Sequence, residues 1–192
     1  WNLDHGAKMM EVGLWQRPWH YPEKDEAPAD AYVREASITR TAVGLCDVTS
    51  LGKIAVQGPD ATEFLNRVYA NAFAKLPIGK VRYGIMLRDD GLVMDDGTAW
   101  RLSETDYFIT TTTAHAAKVM SWLEELLQTR WFDLKVHVAS VSEQWAGIAV
   151  AGPYSRKVLE KNVQEASQVS NEQLPFMGVI EVNLVGSVPC RI

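Results

Sequence analysis

The sequence predicts an α+β fold in which helices pack against mixed or antiparallel sheets. Stretches with alternating apolar and polar residues predict strands, and stretches with apolar residues three and four positions apart predict amphipathic helices. A near-repeat is the third observation: IAVQGP at residues 54–59 returns as IAVAGP at residues 148–153, and a short helical pattern follows each copy. Two such units indicate a duplicated scaffold. A Rossmann fold is not expected, because no GxGxxG motif follows a strand.

Composition restricts the classes of function. The 192 residues are 47% hydrophobic and 22% charged, with a net charge of −5, which is a globular profile. There is no basic cluster and no apolar run of about 20 residues, so we predict neither a nucleic-acid partner nor a membrane span. Cys46 and Cys190 are predicted to be reduced, buried thiols in a cytoplasmic protein. No metal site is predicted, since metal-ligand spacing is lacking among His5, His20, His115 and His137.

Residues 1–28 are predicted to form an extended arm rich in aromatic residues and proline. Pro18, Pro22 and Pro28 stand close together, and proline at this density disfavours a helix. We expect the aromatic side chains of the arm to insert into the body of the protein or into a partner. The alternative is that the stretch WQRPWHYP at residues 15–22 borders a ligand site.

The next part of the chain alternates predicted helices with predicted strands. Good helix formers at residues 29–42 predict a first helix, and the alternation around residues 53–57 predicts a strand that ends at a Gly-Pro pair. A second helix is expected after Asp60, whose carboxylate can cap the free N–H groups. The apolar stripe of this helix is predicted to consist of Phe64, Leu65 and Val68.

Further strands and one long helix are predicted in the second half. Strands are expected at residues 80–88, 91–94, 98–102 and 106–113, the first of them running into an Asp-Gly turn. Residues 114–128 give the clearest helix, whose apolar face is predicted to consist of Val119, Trp122, Leu123 and Leu126. The sequence closes on a strand pattern, which leads us to expect a fragment of a longer fold.

Two neighbouring acids, Asp95 and Asp96, interrupt the apolar run GLVMDDGTAW. If this stretch is extended, the two side chains point to opposite faces and one of them faces inward or into a cleft. A sheltered carboxylate needs donors or a cation, and such a group is a candidate for acid–base work. The alternative is a tight turn at Asp96-Gly97, similar to the one expected at Asp90-Gly91.

A series of ordered motifs resembles the glycine-cleavage T-protein folate-binding family. Residues 33–49 resemble the family's R…GL-x-D-x-S/T opening, and residues 58–65 resemble its GPDA…FL segment. Residues 77–83 are similar to L-x-P-G-x-x-x-Y, residues 90–96 to GG-x-x-x-D-D, and residues 151–153 to QGP. The likeness covers about residues 32–192, and the order of the motifs makes it more specific than any one of them.

This resemblance implies a folate-binding, aminomethyltransferase-like domain at residues 29–192, present as a truncated N-terminal part. Asp96 matches the family's strand aspartate, which lies near the folate nitrogens, and the adjacent Asp95 is then expected to face solvent. Tyr83 matches a cleft tyrosine. Thr112 matches an asparagine that contacts the pterin, but it offers a hydroxyl in place of an amide. The family's later glutamate motif would begin near Arg191, so we expect this chain alone to bind folate weakly.

Within the family, the chain is most similar to the folate-binding region of sarcosine oxidase alpha subunits, through residues 13–22 and Thr110–Thr113. That branch implies transfer of a one-carbon unit from the sarcosine-derived imine to tetrahydrofolate, which gives 5,10-methylenetetrahydrofolate. FAD or FMN and NAD are expected only elsewhere in the intact complex, and the other sarcosine oxidase subunits are expected as partners. The alternatives are a glycine-cleavage-type aminomethyltransferase and a non-catalytic assembly module of the same fold.

Overall fold

The computed structural model describes residues 1–192, which form eleven strands, four α-helices and several short turns of helix. The strands are β1 (Lys8–Val12), β2 (Trp15–His20), β3 (Gly44–Asp47), β4 (Gly52–Gln57), β5 (Lys80–Leu87), β6 (Val93–Arg101), β7 (Asp106–Thr111), β8 (His137–Ser140), β9 (Ile148–Ala151), β10 (Glu181–Leu184) and β11 (Val188–Arg191). The helices are α1 (Pro28–Thr41), α2 (Ala61–Val68), α3 (Ala116–Glu125) and α4 (Ser155–Asn162). No helix is long and apolar enough to cross a bilayer.

The main sheet has five strands in the order β5-β6-β7-β4-β8, and all neighbours are antiparallel. The predicted α+β class with antiparallel sheets is therefore confirmed. One boundary is wrong, because the strands predicted at residues 91–94 and 98–102 are a single strand, β6. Asp96-Gly97 lies inside this strand and pairs with β5, so it is not a turn.

The core lies on one face of this sheet, beneath α2 and α3. The predicted stripe of α2 is buried in full, and each of its large apolar side chains contributes about 1.5–3 kcal/mol relative to exposure. On α3, Val119 and Leu123 are buried, and Trp122 packs against the same cluster. Leu126 belongs to a wider π-helical turn, Leu126–Arg130, that follows the helix.

Asp60 precedes α2, but it does not cap the helix with its side chain as predicted. Its carboxylate accepts a hydrogen bond from the backbone N–H of Lys135 at 2.8 Å, and no side-chain cap bond is formed. This long-range bond ties the start of α2 to the segment leading into β8.

The near-repeat forms two similar strand–turn–helix units, β4–α2 and β9–α4. The glycines at the two breaks, Gly58 and Gly152, have φ values of 142° and 110°, which other residues rarely adopt. The second unit packs on a smaller apolar cluster with the β10–β11 hairpin. The strand pattern predicted at the end of the chain is therefore two short strands joined by a turn.

The arm at residues 1–28 is a β-hairpin followed by a short linker, so the prediction of a simply extended arm is incomplete. β1 and β2 pair antiparallel, with Pro18 opposite Met9. His20 is buried against the ring of Tyr32 in α1, with ring centroids 5.3 Å apart. Trp1 and Trp19 remain 77% and 52% exposed. The hairpin is thus held to α1 at its C-terminal end, and the preceding Asn2 donates to Asp47 Oδ2 of β3 at 3.2 Å.

Arg34 in α1 clamps the end of the hairpin to the helix. Its guanidinium donates to both carboxylate oxygens of Glu26, at 2.8 and 2.9 Å, and to the backbone oxygen of Tyr21 at 2.7 Å. The backbone N–H of Tyr21 in turn donates to Glu35 at 2.7 Å. The hydrogen bonds from Arg34 lower the pKa of Glu26 from 4.5 to about 2.

The depressed pKa of Glu26 predicts that acid loosens the hairpin. The ionised carboxylate stabilises the fold above pH 4.5, and this contribution disappears as the pH falls from 4.5 through about 2. We expect limited proteolysis of residues 1–28 to accelerate across that range. In Arg34→Met the same segment is expected to be sensitive already at pH 7. If Glu26→Gln cleaves as slowly as the parent protein at pH 7, the clamp does not hold the hairpin.

The two cysteines differ from the prediction of buried thiols. Both are free, but Cys46 is exposed on β3 and Cys190 is only partly buried on β11. Cys46 lies on β3, which pairs only with β9 in a two-stranded sheet, and no residue of β3 is fully buried. Burial raises the pKa of the Cys190 thiol.

Candidate functional site

The pairing of β6 with β5 decides which of the two neighbouring acids is buried, and a β-bulge places Met94 beside it. Leu87 pairs with Val93 and Met86 pairs with Asp95, so Met94 is an extra residue in β6. Met94 and Asp95 are consequently both buried, at 7% and 3% exposure, and Asp96 points to the opposite face. The prediction that one acid faces inward is confirmed. The expectation that Asp95 faces solvent is wrong, because its pairing with the buried Met86 places it on the same face of the sheet as Ala99, which is turned towards the core.

The close approach of β7 explains why a glycine, Gly97, follows the two acids. A Cβ atom at this position would lie 1.9 Å from the backbone oxygen of Thr110 in β7. The backbone pairing between β6 and β7 is confined to Ala99–Arg101. Nearer to the acids the two strands are joined by side chains, and the Thr98 N–H donates to Thr110 Oγ1 at 2.9 Å. Gly97 thus permits a close crossing of the two strands beside Asp96.

Asp96 and Tyr83 meet on the face of the sheet that is turned away from the core. Tyr83 stands opposite Thr98 on β6, two pairs along from Asp96 and on the same face, and its hydroxyl donates to Asp96 Oδ2. The hydrogen bond to Asp96 raises the pKa of the Tyr83 hydroxyl. Asp96 is partly buried and Tyr83 is 49% exposed, so the pair is oriented yet open to a ligand.

A row of hydroxyls and aromatic rings continues along this face. The indole N–H of Trp100 donates to Thr98 Oγ1 at 2.8 Å, and Thr98 Oγ1 is 2.8 Å from Thr110 Oγ1. The ring of Trp100 lies 5.6 Å from that of Phe108, which is 6.0 Å from Trp145. We call the set of Tyr83, Asp96, Thr98, Trp100 and Thr110 the open-face site.

Arg191 closes one end of this aromatic row. Its guanidinium lies 4.5 Å from the centre of the Trp145 ring and 5.5 Å from that of Phe108. Arg191 also forms an ion pair with Glu181 at 2.8 Å. The contact packs the β10–β11 hairpin against the open face of the sheet, and it leaves a cation at the border of the site.

Asp95 has its own partners on the core face. Its Oδ2 accepts the backbone N–H of Thr112 at 3.1 Å, and its Oδ1 lies 3.2 Å from His115 Nδ1. The side chain of Asp95 is 1% exposed, whereas that of His115 is 45% exposed. A buried carboxylate requires such donors, and both oxygens are supplied.

The structure brings together two of the three predicted site residues. Tyr83 and Asp96 are hydrogen-bonded, whereas Thr112 is tied through its backbone to Asp95 and forms no hydrogen bond with either of them. Sequence reasoning missed Thr98 and Trp100, although their spacing of two and four residues from Asp96 places them on its face. His115 carries no comparable signal, because it follows a turn after β7.

Comparison with known proteins gives a consistent picture. The model of the GCVT N-terminal domain matches residues 1–192. The chain is 50% identical over 187 residues to a sarcosine oxidase subunit alpha from Rhizobium meliloti (strain 1021), covering 97% of this chain and 19% of that protein. It is 46% identical over 192 residues to the same subunit from Corynebacterium sp. (strain U-96), covering 100% of this chain and 20% of that protein.

A solved structure agrees with the sequence relatives. The glycine cleavage system aminomethyltransferase T from Bartonella henselae superposes with a TM-score of 0.78 at 27% identity, over 94% of this chain and 45% of that one. This chain spans about a fifth of the length of the sarcosine oxidase subunits that it matches. The aminomethyltransferase-like fold predicted from the motifs is thereby confirmed, and the chain belongs to the family of the GCVT N-terminal domain.

Proposed function

We propose that this chain is the folate-binding part of a sarcosine oxidase alpha subunit, and that it transfers a one-carbon unit to tetrahydrofolate. The observation that carries the proposal is the pairing of Asp96 with Tyr83 on the open face of the sheet. The 46–50% identity to sarcosine oxidase alpha subunits supports this choice of donor. We place the protein in the cytoplasm, with the other subunits as partners and with FAD or FMN and NAD bound elsewhere in the complex.

The residues of the open-face site fit tetrahydrofolate. That molecule combines a flat pterin ring with a weakly basic aryl amine. The half-exposed ring of Tyr83 and the partly buried ring of Trp100 offer surfaces for stacking, and Asp96 offers a carboxylate acceptor on the same face. Thr98 and Thr110 add hydroxyls that can donate or accept. We propose that Thr112 borders the same cleft, one residue beyond the end of β7.

Bound tetrahydrofolate would supply two nitrogen nucleophiles, and both would bond to the methylene carbon of the sarcosine-derived iminium. The bond between that carbon and the amine nitrogen breaks. The two protons lost from the folate nitrogens pass to the amine, which leaves as glycine. Asp96 takes the proton from the aryl amine and later returns it to the departing amine. Its negative charge also stabilises the cationic iminium. Tyr83 holds the carboxylate in a fixed direction through its hydroxyl.

Replacing Asp96 by Asn tests this role. In the full subunit within its complex, we expect the rate of methylenetetrahydrofolate formation to fall about 100-fold, since one general acid–base group contributes at least that much. Sarcosine then yields formaldehyde instead, because the imine hydrolyses. The measurement is the ratio of methylenetetrahydrofolate to formaldehyde at equal sarcosine consumption.

Asp90→Asn is the matched control, because Asp90 belongs to the neighbouring DDG stretch and forms an exposed ion pair with Arg88. This control is expected to keep the parental product ratio. An unchanged ratio in Asp96→Asn would overturn the catalytic proposal and favour an assembly module.

The alternative donor is a lipoyl-bound aminomethyl group, as in glycine-cleavage aminomethyltransferases. The structural likeness to the aminomethyltransferase from Bartonella henselae, with a TM-score of 0.78, favours it. Product formation from an aminomethylated lipoyl protein, in the absence of sarcosine oxidation, would establish this alternative.

A further inference from the structure

We propose that Asp95 and His115 form a positioning pair that fixes the direction of Asp96 from the opposite face of the sheet. This inference deepens the proposed function and rests on it for its catalytic meaning. Its structural content is independent, since it concerns contacts among residues of this chain alone.

The need for such a pair comes from the gap between β6 and β7. Backbone pairing of these strands is confined to the three residues Ala99–Arg101. Asp96 lies beyond that ladder, so it pairs with Ile85 of β5 but has no backbone pair on the β7 side. Because the segment is paired on one side only, and the bulge at Met94 lies two residues away, contacts with β7 are needed to fix the direction of its side chains.

Side-chain hydrogen bonds on both sides of Asp96 hold this segment to β7 and to the residue that follows it. On one side of Asp96, the N–H of Thr98 donates to Thr110 Oγ1 at 2.9 Å. On the other side, Asp95 Oδ2 accepts the N–H of Thr112 at 3.1 Å. Asp96 therefore lies between two contacts that hold the backbone of β6. The contact at Asp95 involves a carboxylate whose side chain is 1% exposed.

His115 completes the anchor on the Asp95 side. Its Nδ1 lies 3.2 Å from the second carboxylate oxygen, and it immediately precedes α3. One carboxylate thus joins β6 to both the end of β7 and the start of α3. Thr112 and His115 are therefore the two groups that bond to the carboxylate of Asp95.

The catalytic consequence follows from geometry. A carboxylate that takes a proton from a bound amine must stay within hydrogen-bond reach of it, and a displacement of about 1 Å lowers such rates by as much as about 100-fold. Asp95 touches neither the amine nor the carbon that is transferred. It acts only through the orientation of its neighbour.

Three variants of the full subunit in its complex test the pair. Asp95→Leu removes both acceptors at similar volume, and we expect methylenetetrahydrofolate formation to fall about tenfold. Asp95→Asn retains both bonds, because an amide can accept from Thr112 and donate to the other tautomer of His115. We expect this variant to stay within about threefold of the parent. His115→Ala, at a half-exposed position, is expected to fall between the two and secures a readout if Asp95→Leu does not fold.

A second readout does not require folate. The ¹³C chemical shift of Tyr83 reports its pKa, which is raised chiefly by the hydrogen bond to Asp96. If Asp95→Leu turns Asp96 away, this pKa falls towards that of a free tyrosine, whereas Asp95→Asn leaves it close to the parental value. Both variants lack the charge of Asp95, so the difference between them reports orientation alone.

A double-variant cycle separates the outcomes. Asp95→Leu should add no further loss to Asp96→Asn, because it acts through that residue. Additive losses, equal losses in Asp95→Asn and Asp95→Leu, or an unmoved Tyr83 pKa would each overturn the positioning role while the proposed function stands. If Asp96→Asn kept the parental ratio of methylenetetrahydrofolate to formaldehyde, the proposed function would be overturned. The titration of Tyr83 would still decide whether Asp95 and His115 orient Asp96.

Discussion

Gly97→Ala is expected to lower the free energy of unfolding by about 3–5 kcal/mol, which is large for the addition of one methyl group. The new Cβ atom would lie 1.9 Å from the Thr110 oxygen, and the atom that it meets belongs to the backbone of a neighbouring strand. Rotation of a side chain cannot relieve that overlap. β6 and β7 must therefore separate, and the bond from the Thr98 N–H to Thr110 Oγ1 breaks with them.

The same substitution should also disable the open-face site. Asp96 precedes Gly97 directly, so separation of β6 from β7 moves its carboxylate away from Thr110 on β7 and breaks up the open-face site. Urea unfolding measures the stability loss, and the product ratio of the intact complex measures the site. Gly147→Ala is the matched control, because its Cβ would have its closest contact at 3.3 Å, to the backbone oxygen of Val48, where a shift of a few tenths of an ångström is enough. A loss below about 1 kcal/mol in Gly97→Ala would mean that the strands tolerate separation.

Periodicity predicted the parts of this fold that depend on local pattern. The apolar stripe of α2 and the alternation in β4 each mark a buried face, and both lie where the pattern placed them. The β-bulge at Met94 leaves no such trace, because one inserted residue shifts the alternation without changing the residue types. Asp95 and Asp96 could be recognised as unequal from the sequence, but which of them faces the core depends on the pairing of β6 with β5, which the strand pattern alone does not give.

Long-range contacts account for the other differences. Asp60 resembles a helix cap by its position, yet it bonds Lys135, which is 75 residues away. Gly97 resembles part of a turn, yet its absence of a side chain serves the crossing of β7. In both cases the residue type suits a local role, in a helix cap or a turn, as well as it suits a long-range contact. Only the three-dimensional arrangement distinguishes between them.

Lys53 carries the second large prediction, because it is a charged side chain at 4% exposure. Its ammonium donates to three backbone oxygens, those of Thr49 at 2.6 Å, Leu51 at 3.0 Å and Ser142 at 3.2 Å. Burial lowers the pKa of Lys53, and the charge of Asp47 opposes this shift. The lysine thereby joins the loop before β4 to the loop that follows β8.

We expect Lys53→Met to lower the free energy of unfolding by about 3–5 kcal/mol. Methionine preserves much of the apolar stem but cannot donate, so three carbonyl groups lose their partner at once, and each unsatisfied group costs about 1–3 kcal/mol. Lys75→Met, at an exposed position, is the control and should change stability by less than about 0.5 kcal/mol. The midpoints of urea unfolding decide the comparison. If the two variants unfold at the same urea concentration, water replaces the ammonium without loss of stability. The three backbone oxygens then do not require a lysine at this position.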